Sequence, residues 1–241
     1  MDWNFPTKDI RFDNMMSEIQ TIPLKVPCYL VKIGSGFFLI DTGDSSDCVH
    51  LEKALGQAGV TPGNLKLVLL THGDFDHAGN AAFLQQKYGA KVAMHEKDAE
   101  MVKRGDQGCN RKARPDRVTL FGKIIIFVSS QLVKPAIFKQ FSPDLLVNDG
   151  DDLSEYGFEA KVLRLPGHSK GSIGVLTVDG DLFCGDLLMN MFKPEPHFMI
   201  DDMAGFHASI EKLKTYRIKT VYPGHGKPFP MERFSSAMKV F

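Results

Sequence analysis

The stretch LTHGDFDHAGN, Leu70 to Asn80, decides the reading of this chain. It sets His72, Asp74, Asp76 and His77, four good metal ligands, within six consecutive positions. The apolar run before it, in LKLVLLTHG, has the near-continuous hydrophobicity of a strand covered on both faces. The ligands therefore fall at the C-terminal end of a buried strand, where the chain turns. Asp74 stands where a zinc site would more often use an imidazole.

Working outward, PCYLVKIGSGFFLIDTG reads as two strands around the Gly34–Gly36 turn, a hairpin ending at Asp41. SSDCVHLEKALGQAGV opens on Ser and Asp, closes on Gly59 and spaces Leu51 and Leu55 four apart, which predicts a capped helix. AAFLQQKYGA predicts a second helix and KVAMH a short strand. FEAKVLRLPGH, GSIGVLTVDG and DLFCGD are three further strands separated by tight turns. FHASIEKLKTY is helical by its Phe206, Ile210 and Leu213 spacing, and IKTVYPGHGKPF is a last strand running into a loop. Strands and helices mixed in this way predict a layered α/β fold. Residues 100–147 break the rhythm. From Glu100 to Gln140 there are nine cations (103, 104, 111, 112, 114, 117, 123, 134 and 139) against three acids, together with the apolar stretch LFGKIIIFVSSQLVKPAIF. This segment is expected to be a partly helical insertion folded over one face of a single domain spanning 1–241.

The 29 basic and 29 acidic residues cancel, so the basic excess that marks a nucleic-acid binder is missing. The charged start MDWNFPTKDIRFD lacks the apolar core of a signal peptide, and no apolar run is long enough for a membrane span. The four cysteines are scattered without a C-x-x-C pair, the pattern of reduced thiols in a cytoplasmic protein.

Further ligand types follow the later strands: His168 in LPGHSKGS, Asp186 in LFCGD and His225 in YPGHG. With His72, Asp74, Asp76 and His77 they make seven nitrogen and oxygen donors, too many for one tetrahedral ion but suited to two ions sharing a carboxylate. The order and spacing resemble the metallo-β-lactamase fold superfamily, over about residues 25–230. The resemblance implies a four-layer αββα sandwich with two divalent ions at the edge between its sheets. Carried over by position, His72, Asp74 and His168 would hold one ion, Asp76, His77 and His225 the other, and Asp186 would bridge them. Asp41 of the DTG turn would orient the site without touching metal. Asp74 departs from the commoner histidine; a harder anionic donor tilts preference from zinc toward iron or manganese. Flavodiiron proteins of the same superfamily carry a Glu there, but with a fused flavodoxin domain that is not expected in 241 residues.

The chemistry expected of such a dinuclear centre is hydrolysis. A metal-bridging hydroxide, oriented by Asp76, would attack an ester, thioester, lactone or phosphoester of a small anionic substrate. The alternative from another class is a non-haem iron redox protein acting on oxygen or sulfur compounds through the same ligands. Glu195 and His197, in MFKPEPHFMIDD, are candidate substrate contacts. The basic residues of the insertion are a solvated face or an anion-binding surface, and its apolar part a pocket wall, ordinary core or a homodimer interface. His50, His95 and His207 are expected to be surface or satisfied core residues.

Overall fold

The structure is a computed structural model that describes residues 18–124, 127 and 138–238, the last four of these by their backbone. The charged N-terminal stretch and most of the apolar run after Lys123 lie outside the described residues, as does Lys134.

The first sheet is built from β1 (Glu18–Ile22), β2 (Cys28–Ile33), β3 (Gly36–Ile40), β4 (Leu65–Leu69), β5 (Lys91–Met94) and β7 (Leu145–Leu146), side by side in that order. The hairpin expected around Gly34–Gly36 is the β2–β3 pair. From β3 onward the pairs are parallel, so each connection crosses over through a helix. These helices are α1 (Cys48–Gln57), α3 (Ala81–Tyr88) and α4 (Glu96–Arg104). The second sheet runs β8 (Ala160–Arg164), β9 (Ile173–Thr177), β10 (Asp181–Asn190), β13 (Thr220–Gly226) and β14 (Phe229–Pro230), with β11 (Glu195–Pro196) added to β10. Helices α5 (Met203–Leu213) and α6 (Met231–Met238) belong to this half. A small two-stranded sheet pairs β6 (Arg117–Val118) with β12 (Met199–Ile200).

Alternation along the strands makes the layers. In β3, Phe37 and Leu39 point to the helices of the first half. Phe38 and Ile40 point the other way, to the inter-sheet core that holds Val162, Ile173, Val175 and Phe183. β4 divides in the same way, Val68 outward and Leu67 and Leu69 inward, which is why its sequence, apart from the exposed Lys66, reads as a run of apolar residues rather than alternating ones. A third apolar layer joins Leu163, Leu182 and Leu188 to Phe206, Ile210 and Leu213 of α5. The result is the αββα sandwich, helices outside and two sheets face to face.

The segment 100–147 is less separate than expected. Its first residues are the last turns of α4, and Leu145–Leu146 joins β5 as an edge strand. Phe138 and Phe141 enter the core beneath α4. What departs from the layers is 105–124, which crosses to the second half through β6 and continues as a helical stretch from residue 120.

Candidate metal centre

The C-terminal ends of β3, β4, β8 and β13 and the middle of β10 meet at one edge of the sandwich. Beyond β4 the motif forms a single helical turn, α2 (Phe75–Ala78), rather than a loop. Asp74 occupies its N-cap position with extended backbone, yet its side chain makes no capping bond. That carboxylate is directed instead to His168, whose Nε2 is 3.0 Å away, and to Arg111.

Asp186 is the centre of the arrangement. Around its Oδ2 lie the Nε2 atoms of His197 and His225 at 3.3 Å, His168 at 3.5 Å and His72 at 3.8 Å. Its Oδ1 faces His77 Nε2 at 3.3 Å. Asp76, at the half-exposed mouth, is 3.6 Å from His225. The donors fall into three overlapping groups with all ligand atoms within 4.8 Å of one another: His72, His168 and Asp186; Asp76, His77 and His225; Asp186, His197 and His225.

The imidazoles are tied from behind. His77 Nδ1 donates to Asp41 Oδ2 at 2.9 Å. The His72 Nδ1–H points to the Thr71 hydroxyl, 3.0 Å away, which itself donates to Asp41. His168 and His197 both direct Nδ1 at the Met199 carbonyl, at 3.0 and 3.1 Å. With the proton on Nδ1, each ring presents its Nε2 lone pair to the cluster, the tautomer a metal ligand needs. Asp41 thus holds two rings at once, with backbone at φ +57°; such a left-handed conformation in a non-glycine residue is tolerated best by Asp and Asn.

Buried polar atoms are nearly always hydrogen-bonded. Here Nε2 of His72, His77 and His197 and Oδ1 of Asp74 and Asp186 are buried and lack a hydrogen-bond partner. Five lone-pair-bearing atoms left unsatisfied around one point fit a divalent ion, which would satisfy them together. Glycines make room: a Cβ on Gly224 would stand 2.1 Å from Asp186 Oδ1, and one on Gly185 (φ +50°) 2.6 Å from the Thr71 hydroxyl.

The electrostatics follow from this packing. Burial opposes charge on Asp186, but the surrounding imidazoles of His197, His225, His77 and His168 hold its carboxyl well below the usual range. Burial likewise works against a charged His77, and the carboxylates of Asp186 and Asp41 outweigh it and raise its pKa. At His225 burial is again overcome, chiefly by Asp186, and the pKa rises. His197 goes the other way, kept neutral well below its ordinary value by burial despite Asp186.

The seven donors expected from sequence are therefore brought together, with Asp41 behind them. His197 is also in the cluster, 2 % exposed with Nε2 turned toward Asp186 rather than to solvent. Glu195 is half-buried on β11 opposite Met189, with no polar contact to the cluster among the described residues. His95 is a satisfied core residue whose Nδ1 caps α4, whereas His50 and His207 are exposed.

Two residues escaped the sequence reading. Asp98 of α4 is fully buried and accepts from Gly73 N (3.3 Å), Ser169 Oγ (2.6 Å) and Gly171 N (2.8 Å), joining the loops that carry His72 and His168. Arg111, one of nine cations in a run that resembles a solvated face, turns inward instead. Its guanidinium bonds the Asp74 carboxylate and the His168 carbonyl and lies 2.8 Å from His168 Nε2. Only its place in a basic segment next to the motif-bearing half hinted at a role.

Among curated proteins, the chain is 34% identical over 128 residues to the hydroxyacylglutathione hydrolase GloC of Haemophilus influenzae, covering 52% of this chain and 50% of that protein. It is 28% identical over 180 residues to the human acyl-coenzyme A thioesterase MBLAC2, covering 69% and 58% respectively. The chain spans only about half to three-fifths of the length of such relatives. Among solved structures, TTHA1623 in a di-iron-bound form superposes with a TM-score of 0.65 at 25% identity, over 92% of this chain and 97% of that one. The sequence profile of the metallo-beta-lactamase superfamily matches residues 21–225, most of the chain. By that match and by its fold, the chain belongs to the metallo-beta-lactamase superfamily.

Proposed function

We propose that this protein is a metal-dependent hydrolase that opens the thioester, or a closely related acyl ester, of a small substrate. The observation that carries the reading is the ring of imidazole lone pairs around the buried Asp186, four of them (His72, His77, His168 and His197) oriented from behind by a hydrogen bond at Nδ1. His72, Asp74 and His168 would hold one ion and Asp76, His77 and His225 a second, with Asp186 available to both; His197 would be a further donor on the Asp186–His225 side. Divalent ions held there supply Lewis acidity and bring the pKa of water toward neutrality. Asp76, the most exposed of the acids, is placed to accept a hydrogen bond from the attacking water and orient it. Asp41 and Asp98 keep the donors in place.

Two relatives support thioesters: one is named a hydroxyacylglutathione hydrolase and another an acyl-coenzyme A thioesterase. An aromatic wall beside the centre fits the apolar part of an acyl group. Phe198 lies 6.4 Å from the His225 ring and the same distance from Phe121, which in turn faces Phe192 at 6.2 Å. The donor set is compatible with zinc, manganese or iron, and the di-iron form of TTHA1623 favours including iron. The experiment is a screen of glutathione and coenzyme A thioesters, lactones and phosphodiesters against protein loaded separately with the three metals. Thioester turnover that disappears, along with metal content, in Asp186→Ala is the expected result. Silence on every substrate in every metal form, or an unchanged Asp186→Ala, would overturn the reading.

A further inference from the structure

Arg111 occupies an unusual position for a positive charge. It reaches the first group of donors from the segment that follows α4, and its side chain is only 11 % exposed. One nitrogen, Nη2, is bonded to Asp74 Oδ2 and lies 2.8 Å from His168 Nε2. Both atoms belong to the donor set assigned above to the first ion. The lone pair of His168 Nε2 cannot serve an N–H donor and a cation ligand together, because Nδ1 already uses its hydrogen on the Met199 carbonyl. The second group of donors, around Asp76, His77, His225 and Asp186, has no such competitor among the described residues.

A second buried carboxylate waits on the far side of the guanidinium. Asp201 Oδ2 is 3.6 Å from Arg111 Nη1, beyond hydrogen-bond distance, and its Oδ1 is buried without a partner. A small swing of the side chain exchanges Asp74 for Asp201 and keeps the cation paired. That alternative matters, since a buried arginine left without a counter-charge is strongly disfavoured.

We propose that Arg111 guards the first ion's position: guanidinium and ion compete for Asp74 and His168, so the centre fills in two unequal steps, and Asp201 receives the guanidinium when the first position fills. The inference rests on the cluster being a metal centre. It does not depend on which ester is hydrolysed. Arg111 in the inward position leaves one ion on the Asp76–His77–His225 side; a second requires the guanidinium to leave Asp74. Linkage then dictates that anything favouring Arg111 on Asp201 favours the second ion, and the reverse.

The test is equilibrium titration of the metal-free protein with zinc, with elemental analysis, and in parallel with cobalt, whose visible absorption reports the coordination of each equivalent. In the wild type a tight first equivalent and a second at least about tenfold weaker are expected, the scale on which neighbours of a ligand set shift affinity. Arg111→Met, similar in length and uncharged, should tighten the second equivalent by about tenfold or more. Asp201→Asn, which removes the alternative partner, should weaken the second equivalent and leave the first unchanged. Opposite signs from two variants of one ion pair are not produced by simple loss of structure. If Arg111→Met fails to fold by circular dichroism, the selective effect of Asp201→Asn on the second equivalent decides the matter. Two equally tight ions in the wild type, or a second ion unchanged or weakened in folded Arg111→Met, would overturn the inference. Binding of no ion by the wild type would instead overturn the metal-centre reading on which it rests.

Discussion

Replacing Asp41 by Asn isolates what the residues behind the ligands contribute. The two side chains are nearly isosteric, and Asn tolerates the left-handed backbone at this position as well as Asp does, so the turn itself is not strained. Oδ1 can still accept the Thr71 N–H, now at 2.8 Å. What changes is the second atom. Oδ2 accepts from His77 Nδ1 at 2.9 Å and from the Thr71 hydroxyl at 2.8 Å; an amide NH2 there would face two donors. His77 must then lose its partner or move its proton to Nε2, which removes the lone pair aimed at Asp186. A hydrogen bond to a charged group is worth about 1.5–3 kcal/mol, so metal affinity should fall by roughly 10- to 100-fold, the range seen for such supporting groups, or about 1.4–2.7 kcal/mol. Competition with a chromophoric chelator measures the affinity, and nitrogen-15 chemical shifts of His77 report its tautomer. Affinity within about twofold of the wild type, with the Nδ1–H tautomer retained, would refute the idea that Asp41 sets the ring.

Gly224→Ala should damage the centre without touching a donor, since its Cβ would sit 2.1 Å from Asp186 Oδ1. Overpacking of this kind costs roughly 1–3 kcal/mol, so thermal unfolding of the chelated protein should fall by a few degrees and metal affinity with it; unchanged values in both would show that β13 yields freely. Proton linkage gives a pH test. His77 and His225 have pKa values raised in the folded state, so their stabilisation is full below about pH 6.5 and is lost as pH rises through the raised values. His197, lowered, opposes them as pH falls below about 6.5. With two groups against one, the chelated protein should melt higher near pH 6 than near pH 8.5. The zinc-loaded protein should show the reverse, because bound imidazoles must be unprotonated. The same slope with and without metal, followed by circular dichroism, would contradict that assignment of charge.

The sequence by itself determined a good deal. The almost continuously apolar β4 and the Gly34–Gly36 hairpin specify buried strands, and the ligand types after the strands announce a shared centre, because strand ends are where backbones can converge. Those signals are local, carried by residue type and spacing. The tertiary structure decided the rest. Nothing local separates Arg111 from the exposed Lys112 and Arg114 beside it; its inward turn depends on how 105–119 crosses to β12. His197 differs from any loop histidine only because β11 pairs with β10 and carries it against Asp186. Asp98 reads as an ordinary acid in the first turn of α4 and becomes a tie between two ligand loops only when Gly73 and Gly171 are packed on it. A side chain's direction and partner are set by long-range packing, which residue spacing does not encode.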